Sequence, residues 1–173
     1  MKKLKFGINP LTFLSAILLS LSLIFPWWTL DVSVMPRPTN IYPYLIDGPA
    51  SEFIGYKRSS IMTILFILLL VCIFLFILGS FLKGKGFAIT NIVSGALVAL
   101  AIWRFLVRIG GVAAMYEVPI QGSGVGSYGG FARVDVYSQI QPGIYLAALA
   151  AIIGILSGIF HKKLTNKFSL NWL

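Results

Sequence analysis

The sequence predicts an all-α transmembrane four-helix bundle that carries a small extracellular antiparallel β-sheet. Three observations lead to this fold class. The 173 residues are 58% hydrophobic and only 11% charged, whereas roughly a quarter of the residues of a soluble domain are charged. Four apolar runs are long enough to cross about 30 Å of hydrocarbon as helices. The two long segments between them contain short alternations of apolar and polar residues, which indicate half-buried strands.

Each apolar run predicts one membrane-spanning helix, and together they form a single tetraspan domain over residues 1–173. The helices are expected at about 11–29, 59–82, 87–107 and 142–160. No small-x-small cleavage site precedes Pro26-Trp27-Trp28, which favours a retained first helix over a cleaved secretory signal. Small residues on helices 3 and 4 let two backbones approach closely, either within the chain or between copies. These residues are Gly95, Ala150, Gly154 and Gly158.

The two outer loops, residues 30–58 and 108–141, supply the predicted sheet. Residues 30–34 alternate strictly between apolar and polar, and four prolines then predict irregular chain. In the second loop, residues 115–120 and 131–138 are candidate strands, with QGSGVGSYGG between them. Its GVGSYG portion has the glycine spacing of a dinucleotide-binding loop but lacks the preceding buried strand and the following helix, so no nucleotide is expected. The prediction is a wide hairpin tip with Tyr128 exposed at its crest.

The distribution of charge predicts the orientation in the membrane. Eight lysines and no acidic residue lie in segments 1–10, 83–86 and 161–173, whereas all five acidic residues lie in the two long loops. This is the positive-inside pattern, so both termini are expected in the cytoplasm and loops 30–58 and 108–141 outside the cell membrane. The net charge of +9 is therefore assigned to orientation and to contact with anionic lipids rather than to a nucleic-acid partner.

Aromatic residues concentrate on the predicted outer side. Trp27 and Trp28 lie near the outer end of helix 1, and all seven tyrosines lie in the outer loops or at the outer end of helix 4. Trp and Tyr favour the membrane interface because each ring has an apolar body and a polar edge. The simpler interpretation is an aromatic belt with a small loop core. The alternative is an outer contact surface formed by Trp27, Trp28 and Tyr128.

Two arginines are the charged groups at the outer end of helix 3. Arg104 and Arg108 are four residues apart and therefore share one face of the helix. They are expected to anchor the outer sheet by pairing with acidic residues of the loops, or alternatively to bind an anionic ligand or lipid. The acidic candidates are Asp31, Glu117 and Asp135.

The sequence offers no catalytic constellation. Its single histidine, His161, is predicted at the cytoplasmic boundary, across the bilayer from every carboxylate, and its single cysteine, Cys72, lies in the middle of helix 2. Neither a Ser-His-Asp nor a Cys-His arrangement can therefore be assembled. No metal-ligand spacing occurs, and no cofactor is expected. The sequence thus predicts a protein that is not an enzyme.

The layout of the chain resembles that of claudin-like tetraspan membrane proteins. The resemblance rests on a Trp just outside helix 1, on Lys57-Arg58 before helix 2, on SGALVALAIW closing helix 3 and on the glycine-rich helix PGIYLAALAAIIGILSGIF. It implies an outer sheet on a left-handed four-helix bundle that mediates adhesion, lateral assembly or binding of a partner subunit. The loops lack the Gly-Leu-Trp motif and the cysteine pair of claudins proper, so a divergent prokaryotic-type relative is expected. The matching positions are Trp27, Arg58, Trp103, Gly143 and Tyr145.

These observations predict a non-enzymatic multi-pass membrane protein that acts through protein contacts. It would serve as an accessory or structural subunit of a membrane complex, or in lateral assembly or adhesion. Its partners would be membrane lipids together with other membrane subunits or copies of itself. The alternative is transport or binding of a lipid-like or quinone-like small molecule within the bundle, near Arg104 and Arg108.

Overall fold

A computed structural model of the chain describes residues 7–49, 51, 57–128 and 132–167. Over these residues the chain is mostly helical, and its strands form one antiparallel sheet, as predicted. The helices are α1 Pro10–Ile24, α2 Ser60–Phe81, α3 Lys85–Met115, α4 Pro142–Ile159 and α5 His161–Lys167. The strands are β1 Trp28–Val32, β2 Thr39–Ile41, β3 Ile46–Asp47, β4 Gly122–Tyr128 and β5 Ala132–Ile140, in the order β3-β2-β1-β5-β4.

Three helices, α2, α3 and α4, are long and apolar enough to cross a membrane. They expose large apolar side chains, among them Ile64 at 67% and Phe74 at 59%. Soluble proteins rarely expose contiguous apolar surface on this scale, which fits a lipid environment for these helices.

Helix α1 is shorter than the predicted span of residues 11–29. It has 15 residues and ends at Ile24, because Pro26 disfavours a helical conformation of the preceding residue and carries no N–H of its own. The Trp27 N–H instead donates to the carbonyl oxygen of Ile41, at 2.8 Å. At its other end, Asn9 caps α1 by accepting the N–H of Thr12 on Oδ1 at 3.3 Å, with Pro10 in the first helical position, where proline is favoured.

Helix α3 is longer than predicted, because it continues to Met115 rather than ending near residue 107. Its buried side chains Phe105, Ile109 and Ala113 are spaced by four residues and so form one stripe along the helix. The helix ends in a Schellman motif, in which the Val118 N–H donates to the Ala113 carbonyl at 2.8 Å. The predicted strand at residues 115–120 is therefore wrong, since these residues end the helix and turn the chain.

The chain divides into two compact units. The first comprises Met1–Leu21, Ile67–Ala101 and Leu146–Leu173, and the second comprises Ser22–Phe66 and Ile102–Tyr145. All the described strands belong to the second unit. The first unit is built from helical segments.

Glycines mark close approaches between helices in the first unit. A Cβ atom on Gly95 would lie 2.7 Å from the carbonyl oxygen of Ala151, and one on Gly158 would lie 2.6 Å from that of Ala88. These two positions bring the backbones of α3 and α4 together, because any side chain there would clash. A Cβ atom on Gly154 would lie 2.6 Å from the ring of Phe76 on α2. Ala150, which lies on α4 with Gly154, is fully buried.

The sheet of the second unit has one buried and one exposed face. Trp28, Val32, Val136 and Ser138 lie on the buried face, with exposed fractions of 5% or less. Asp31, Asp135 and Tyr137 alternate with them on the exposed face, as the two-residue period of a strand requires.

Residues 118–120 cross the buried face of the sheet after the end of α3. The Trp28 Nε1–H donates to the carbonyl oxygen of Ile120 at 2.8 Å, and the Ser138 hydroxyl donates to that of Pro119 at 2.5 Å. A Cβ atom on Gly124 would lie 2.9 Å from Pro119 Cδ, and one on Gly126 would lie 3.1 Å from Val118 Cγ2. The predicted hairpin tip is thus a strand, whose glycines leave room for a crossing segment.

Candidate functional site

The predicted cluster of Arg104 and Arg108 with loop carboxylates does not form ion pairs in the structure. Both arginines are exposed, and so are Asp31, Glu117 and Asp135. Among the described residues, the oppositely charged groups within 4.0 Å of each other are Arg37 and Asp47, at 3.5 Å. The sheet is held instead by backbone pairing and by the apolar and hydrogen-bonded contacts of its buried face. The predicted anchoring of the sheet by ion pairs of these residues is therefore not found, and the alternative, binding of an anionic ligand or lipid, stays a prediction.

Trp27 and Trp28 do not form an outer contact surface, because both rings are interior. Trp27 is fully buried, donates from Nε1 to the carbonyl oxygen of Ser22 at 3.0 Å and meets the Phe105 ring edge-on at 5.0 Å. Gly143 lies so close to it that a Cβ atom there would be 2.5 Å from the indole ring. Trp28 is 4% exposed. An indole buried this way satisfies its N–H and adds core contacts, so the prediction of exposure is corrected.

Tyr128 is the last residue of β4, next to the connection to β5. Its side chain and residues 129–131 lie outside the described residues. The prediction of an exposed tyrosine at the crest of the hairpin therefore stays a prediction.

Strand β4 forms one edge of the sheet. The Ser33 N–H donates to the Asp135 carbonyl and the Gln141 N–H to that of Trp27, so the odd-numbered residues of β5 direct their backbone groups towards β1. Because successive residues of a strand alternate sides, the even-numbered residues of β5 pair with Gly122, Gly124 and Gly126 of β4. The backbone N–H and C=O groups of the intervening β4 residues point away from the sheet. These residues are Ser123, Val125 and Ser127.

This free edge carries none of the usual protection against strand pairing. No described group forms a hydrogen bond with the outward backbone groups of residues 123, 125 and 127. Natural edge strands are commonly blocked by lysine, proline or a bulge, but β4 has the sequence GSGVGSY and pairs with β5 without interruption. Val125 is 51% exposed. Among the described residues, nothing therefore blocks this edge against a further strand.

A buried polar network in the first unit was missed at the sequence level. Asn91 Nδ2 donates to Thr12 Oγ1 at 2.9 Å, the Thr12 hydroxyl donates to Ser157 Oγ at 3.0 Å, and the Ser157 hydroxyl donates to the Gly154 carbonyl at 2.7 Å. The first three of these residues are fully buried. The chain of hydrogen bonds links α3, α1 and α4. As a polar residue within a predicted span, Asn91 favours a hydrogen bond between helices, but the sequence gave no sign that it meets Thr12 or that Thr12 meets Ser157.

The network extends to His161 at the start of α5. Asn9 Nδ2 lies 3.2 Å from the Ser157 carbonyl oxygen and 3.0 Å from His161 Nδ1, and His161 Nε2 lies 3.1 Å from the Leu82 carbonyl oxygen. The ring is only 2% exposed, and burial lowers the pKa of His161 below its ordinary value. The signal that could have revealed this cluster is the pair Asn9-Pro10, a helix cap followed by the proline typical of a first helical position.

A cleft of about 550 Å³ lies in the second unit between the end of α1, the β2–β3 turn and the residues before α2. Tyr42 and Tyr44 line it, with ring centroids 5.6 Å apart. Lys57 and Arg58 line the same cleft and are exposed. It is distinct from the predicted ligand position at Arg104 and Arg108.

No protein-family model matches this chain, and no match is found among the curated proteins. The free edge of β4 is the feature that most directly favours a partner, because its outward backbone N–H and C=O groups have no hydrogen-bond partner among the described residues.

Proposed function

We propose that the chain is a four-span membrane protein of claudin-like layout that assembles laterally with copies of itself through β4. Helix α1 would be the fourth span beside α2, α3 and α4, and its buried Thr12 already bonds to side chains of α3 and α4. The lysine-rich segments would lie in the cytoplasm and the sheet outside the cell. The protein would act through contacts rather than catalysis.

The observation that carries this proposal is the symmetry of the free edge. Residues 123–127 read Ser-Gly-Val-Gly-Ser, which is the same in both directions. An antiparallel pair of identical strands is related by a two-fold axis, and a palindromic strand presents identical residues to its copy. With the axis at Val125, Ser123 of one copy lies opposite Ser127 of the other.

The outward backbone groups have the same symmetry as the side chains. Residues 123, 125 and 127 each offer one N–H and one C=O to a second copy, in the alternation that an antiparallel ladder requires. The edge carries no charge, so like-charge repulsion does not oppose self-pairing. The glycines between these residues have no side chains to hinder the approach of the second strand.

The free energy of such pairing fits assembly within a membrane. Each backbone hydrogen bond contributes about 0.5–1.5 kcal/mol net, whereas association of free molecules costs about 4–15 kcal/mol. A short glycine-rich edge is therefore too weak to hold copies together in dilute detergent. A bilayer keeps the copies in one plane and one orientation, which raises their effective concentration. We expect the assembly in bilayers and its loss in dilute micelles.

Disulfide cross-linking in bilayers tests the pairing and its register. In a Cys72→Ala background, Val125→Cys is expected to cross-link to its own copy, because directly opposed Cα atoms lie about 5.5 Å apart, within reach of a disulfide. Ser123→Cys alone is the matched control, since its two copies would be four residues out of register. A membrane containing both Ser123→Cys and Ser127→Cys chains should cross-link again.

Equal cross-linking of Val125→Cys and Ser123→Cys would show random collision and would contradict the palindromic register. A chain that does not cross-link at Val125→Cys, but co-purifies with one other membrane protein at a fixed ratio, would instead be an accessory subunit. A particle that is monomeric in bilayers and has no partner would overturn both forms of the proposal.

A further inference from the structure

The cleft beside Tyr42 and Tyr44 combines cations, aromatic rings and apolar surface. Arg58 Nε donates to the Tyr44 carbonyl oxygen at 3.1 Å, and the Ile46 N–H donates to the Lys57 carbonyl oxygen at 2.8 Å. These bonds tie the segment before α2 to the turn between β2 and β3. The Tyr44 ring also meets that of Phe66 on α2, with centroids 5.1 Å apart. The cations are thus presented from a backbone that is held in place.

The charge of the cleft is positive. Neither Lys57 nor Arg58 forms an ion pair with a described acidic residue, and the one acidic residue of the lining, Asp47, pairs with Arg37. Because Arg58 uses Nε for the Tyr44 carbonyl, its two terminal NH₂ groups remain for a ligand. A guanidinium fork and a lysine ammonium together suit a phosphate group.

Tyr42 adds a neutral hydrogen-bond donor. Burial, reinforced by the neighbouring Tyr44 and Asp47, raises the pKa of Tyr42 above its ordinary value. Its hydroxyl therefore stays protonated at neutral pH and can donate to a phosphate oxygen.

Apolar surface lies on the other side of the cations. Ile24, the last residue of α1, lines the cleft and is 66% exposed. The exposed large apolar side chains of α2 begin with Ile61 and Ile64, at 44% and 67%, three and six residues after Arg58. A ligand with an anionic head and a hydrocarbon tail would contact both kinds of surface. A free phosphate would use only the cations.

We propose that this cleft binds the phosphate of an anionic phospholipid, held by Lys57 and Arg58 against the two tyrosines with its acyl chains along Ile24 and α2. The site is independent of the β4 edge and does not require self-assembly. It also differs in position from a ligand site enclosed by the helices near Arg104 and Arg108.

Lipid binding to the full chain in detergent, followed by native mass spectrometry, tests this site. The probes are dioleoyl phosphatidylglycerol and dioleoyl phosphatidylcholine, with inorganic phosphate as competitor. We expect bound phosphatidylglycerol in preference to phosphatidylcholine. Lys57→Ala should weaken it about tenfold, the effect of losing one charge-assisted hydrogen bond. Lys57→Ala keeps the backbone bond to Ile46, so folding should be intact.

Arg133→Ala is the matched control, because Arg133 is an exposed cation on β5 and its loss changes the net charge equally. If Lys57→Ala and Arg133→Ala weakened phosphatidylglycerol binding equally, the effect would come from the net charge of the protein, and the proposed site would be overturned. Displacement of the lipid by inorganic phosphate at equal concentration would overturn the lipid assignment in favour of a soluble phosphate. A thermal unfolding midpoint unchanged in Lys57→Ala shows that lost binding is not lost folding.

Discussion

His161 joins three segments of the first unit through the two nitrogens of one ring. Nε2 lies next to a carbonyl oxygen, that of Leu82, and Nδ1 lies next to the Asn9 amide nitrogen. Asn9 Oδ1 already accepts the Thr12 N–H, so the group facing the histidine is the amide NH₂. The ring therefore donates from Nε2 and accepts at Nδ1, which requires the neutral form. A proton on His161 Nδ1 would place two hydrogen-bond donors, this N–H and the Asn9 NH₂ group, opposite each other.

The stability of the protein should accordingly fall as the pH is lowered. Burial lowers the pKa of His161 in the folded state. As the pH falls through the ordinary histidine pKa of about 6.5, the unfolded chain therefore binds more protons than the folded chain. The stabilisation is complete above that value and is lost as the pH falls towards the folded-state pKa. Thermal unfolding midpoints in detergent, measured from pH 7.5 down to pH 5, check this dependence.

His161→Gln is the matched variant, because glutamine keeps a donor and an acceptor but does not titrate in this range. Its unfolding midpoint should vary less between pH 7.5 and pH 5 than that of the parent chain. The sequence has a single histidine, so a parent-like pH dependence in His161→Gln would assign the effect to other groups.

Two residues show why burial was harder to predict than element type. Trp27 and Trp28 stand where an apolar run meets a loop, and an aromatic residue there suits a membrane interface as well as a core. What decides between these is the surroundings: Gly143, Phe105 and the segment ending at Ile120 come from distant parts of the chain. A local pattern contains no information about those contacts.

Helices α2 and α3 meet through a glycine and an asparagine. A Cβ atom on Gly79 would lie 2.0 Å from Asn91 Oδ1 and 2.9 Å from its Cγ. The asparagine cannot easily move aside, since it is fully buried and its Nδ2 is held by Thr12. Among the described residues, Asn91 Oδ1 has no hydrogen-bond partner. It occupies the space that a side chain at position 79 would fill.

Gly79→Ala should therefore destabilise the protein by about 1–3 kcal/mol, the usual cost of an overpacked core. Asn91→Ala removes the obstructing amide, so the double variant should recover much of that loss. A double-mutant cycle of unfolding free energies in detergent measures the coupling.

Gly86→Ala is the control for the glycine substitution, because nothing lies within 4 Å of a Cβ atom there. It should change the free energy of unfolding by no more than about 0.5 kcal/mol. Strictly additive effects of Gly79→Ala and Asn91→Ala would show that the two residues do not constrain each other.

At the same scale, α2, α4 and β5 could be predicted, whereas β4 could not. The length of the apolar runs located α2 and α4. The alternation at Val134 and Val136 located β5, because it reflects burial on one face of the strand. Strand β4 has glycine at every second position, and glycine has no side chain to create a pattern and usually indicates turns. The signal that could have revealed the strand is the two-residue repeat of Gly122, Gly124 and Gly126.

For the whole molecule, the distribution of apolar and charged residues constrains the environment of the chain. The helices expose isoleucine, leucine and phenylalanine, while the exposed face of the sheet carries Asp31, Asp135 and Tyr137. Such surfaces suit lipid in one case and water in the other. The asymmetry of the lysines is the basis of the proposed orientation in the membrane.

Cysteine labelling tests the orientation proposed for the sheet and the carboxy-terminal helix. Cys72 is the single cysteine and is buried, so a Cys72→Ala chain is a suitable background. Gln139 on β5 and Asn166 on α5 are both exposed. With a membrane-impermeant maleimide, Gln139→Cys should be labelled in intact cells, and Asn166→Cys only after permeabilisation.

The reverse order of labelling would place the lysine-rich segments outside and contradict the positive-inside assignment. The result also bears on assembly through β4. Two copies can pair their edges about a two-fold axis only if both insert in the same orientation, so that their sheets lie on one side of the membrane. Labelling of both positions in intact cells would indicate mixed insertion, and cross-linking through Val125→Cys should then fall, most strongly when the two orientations are equally populated.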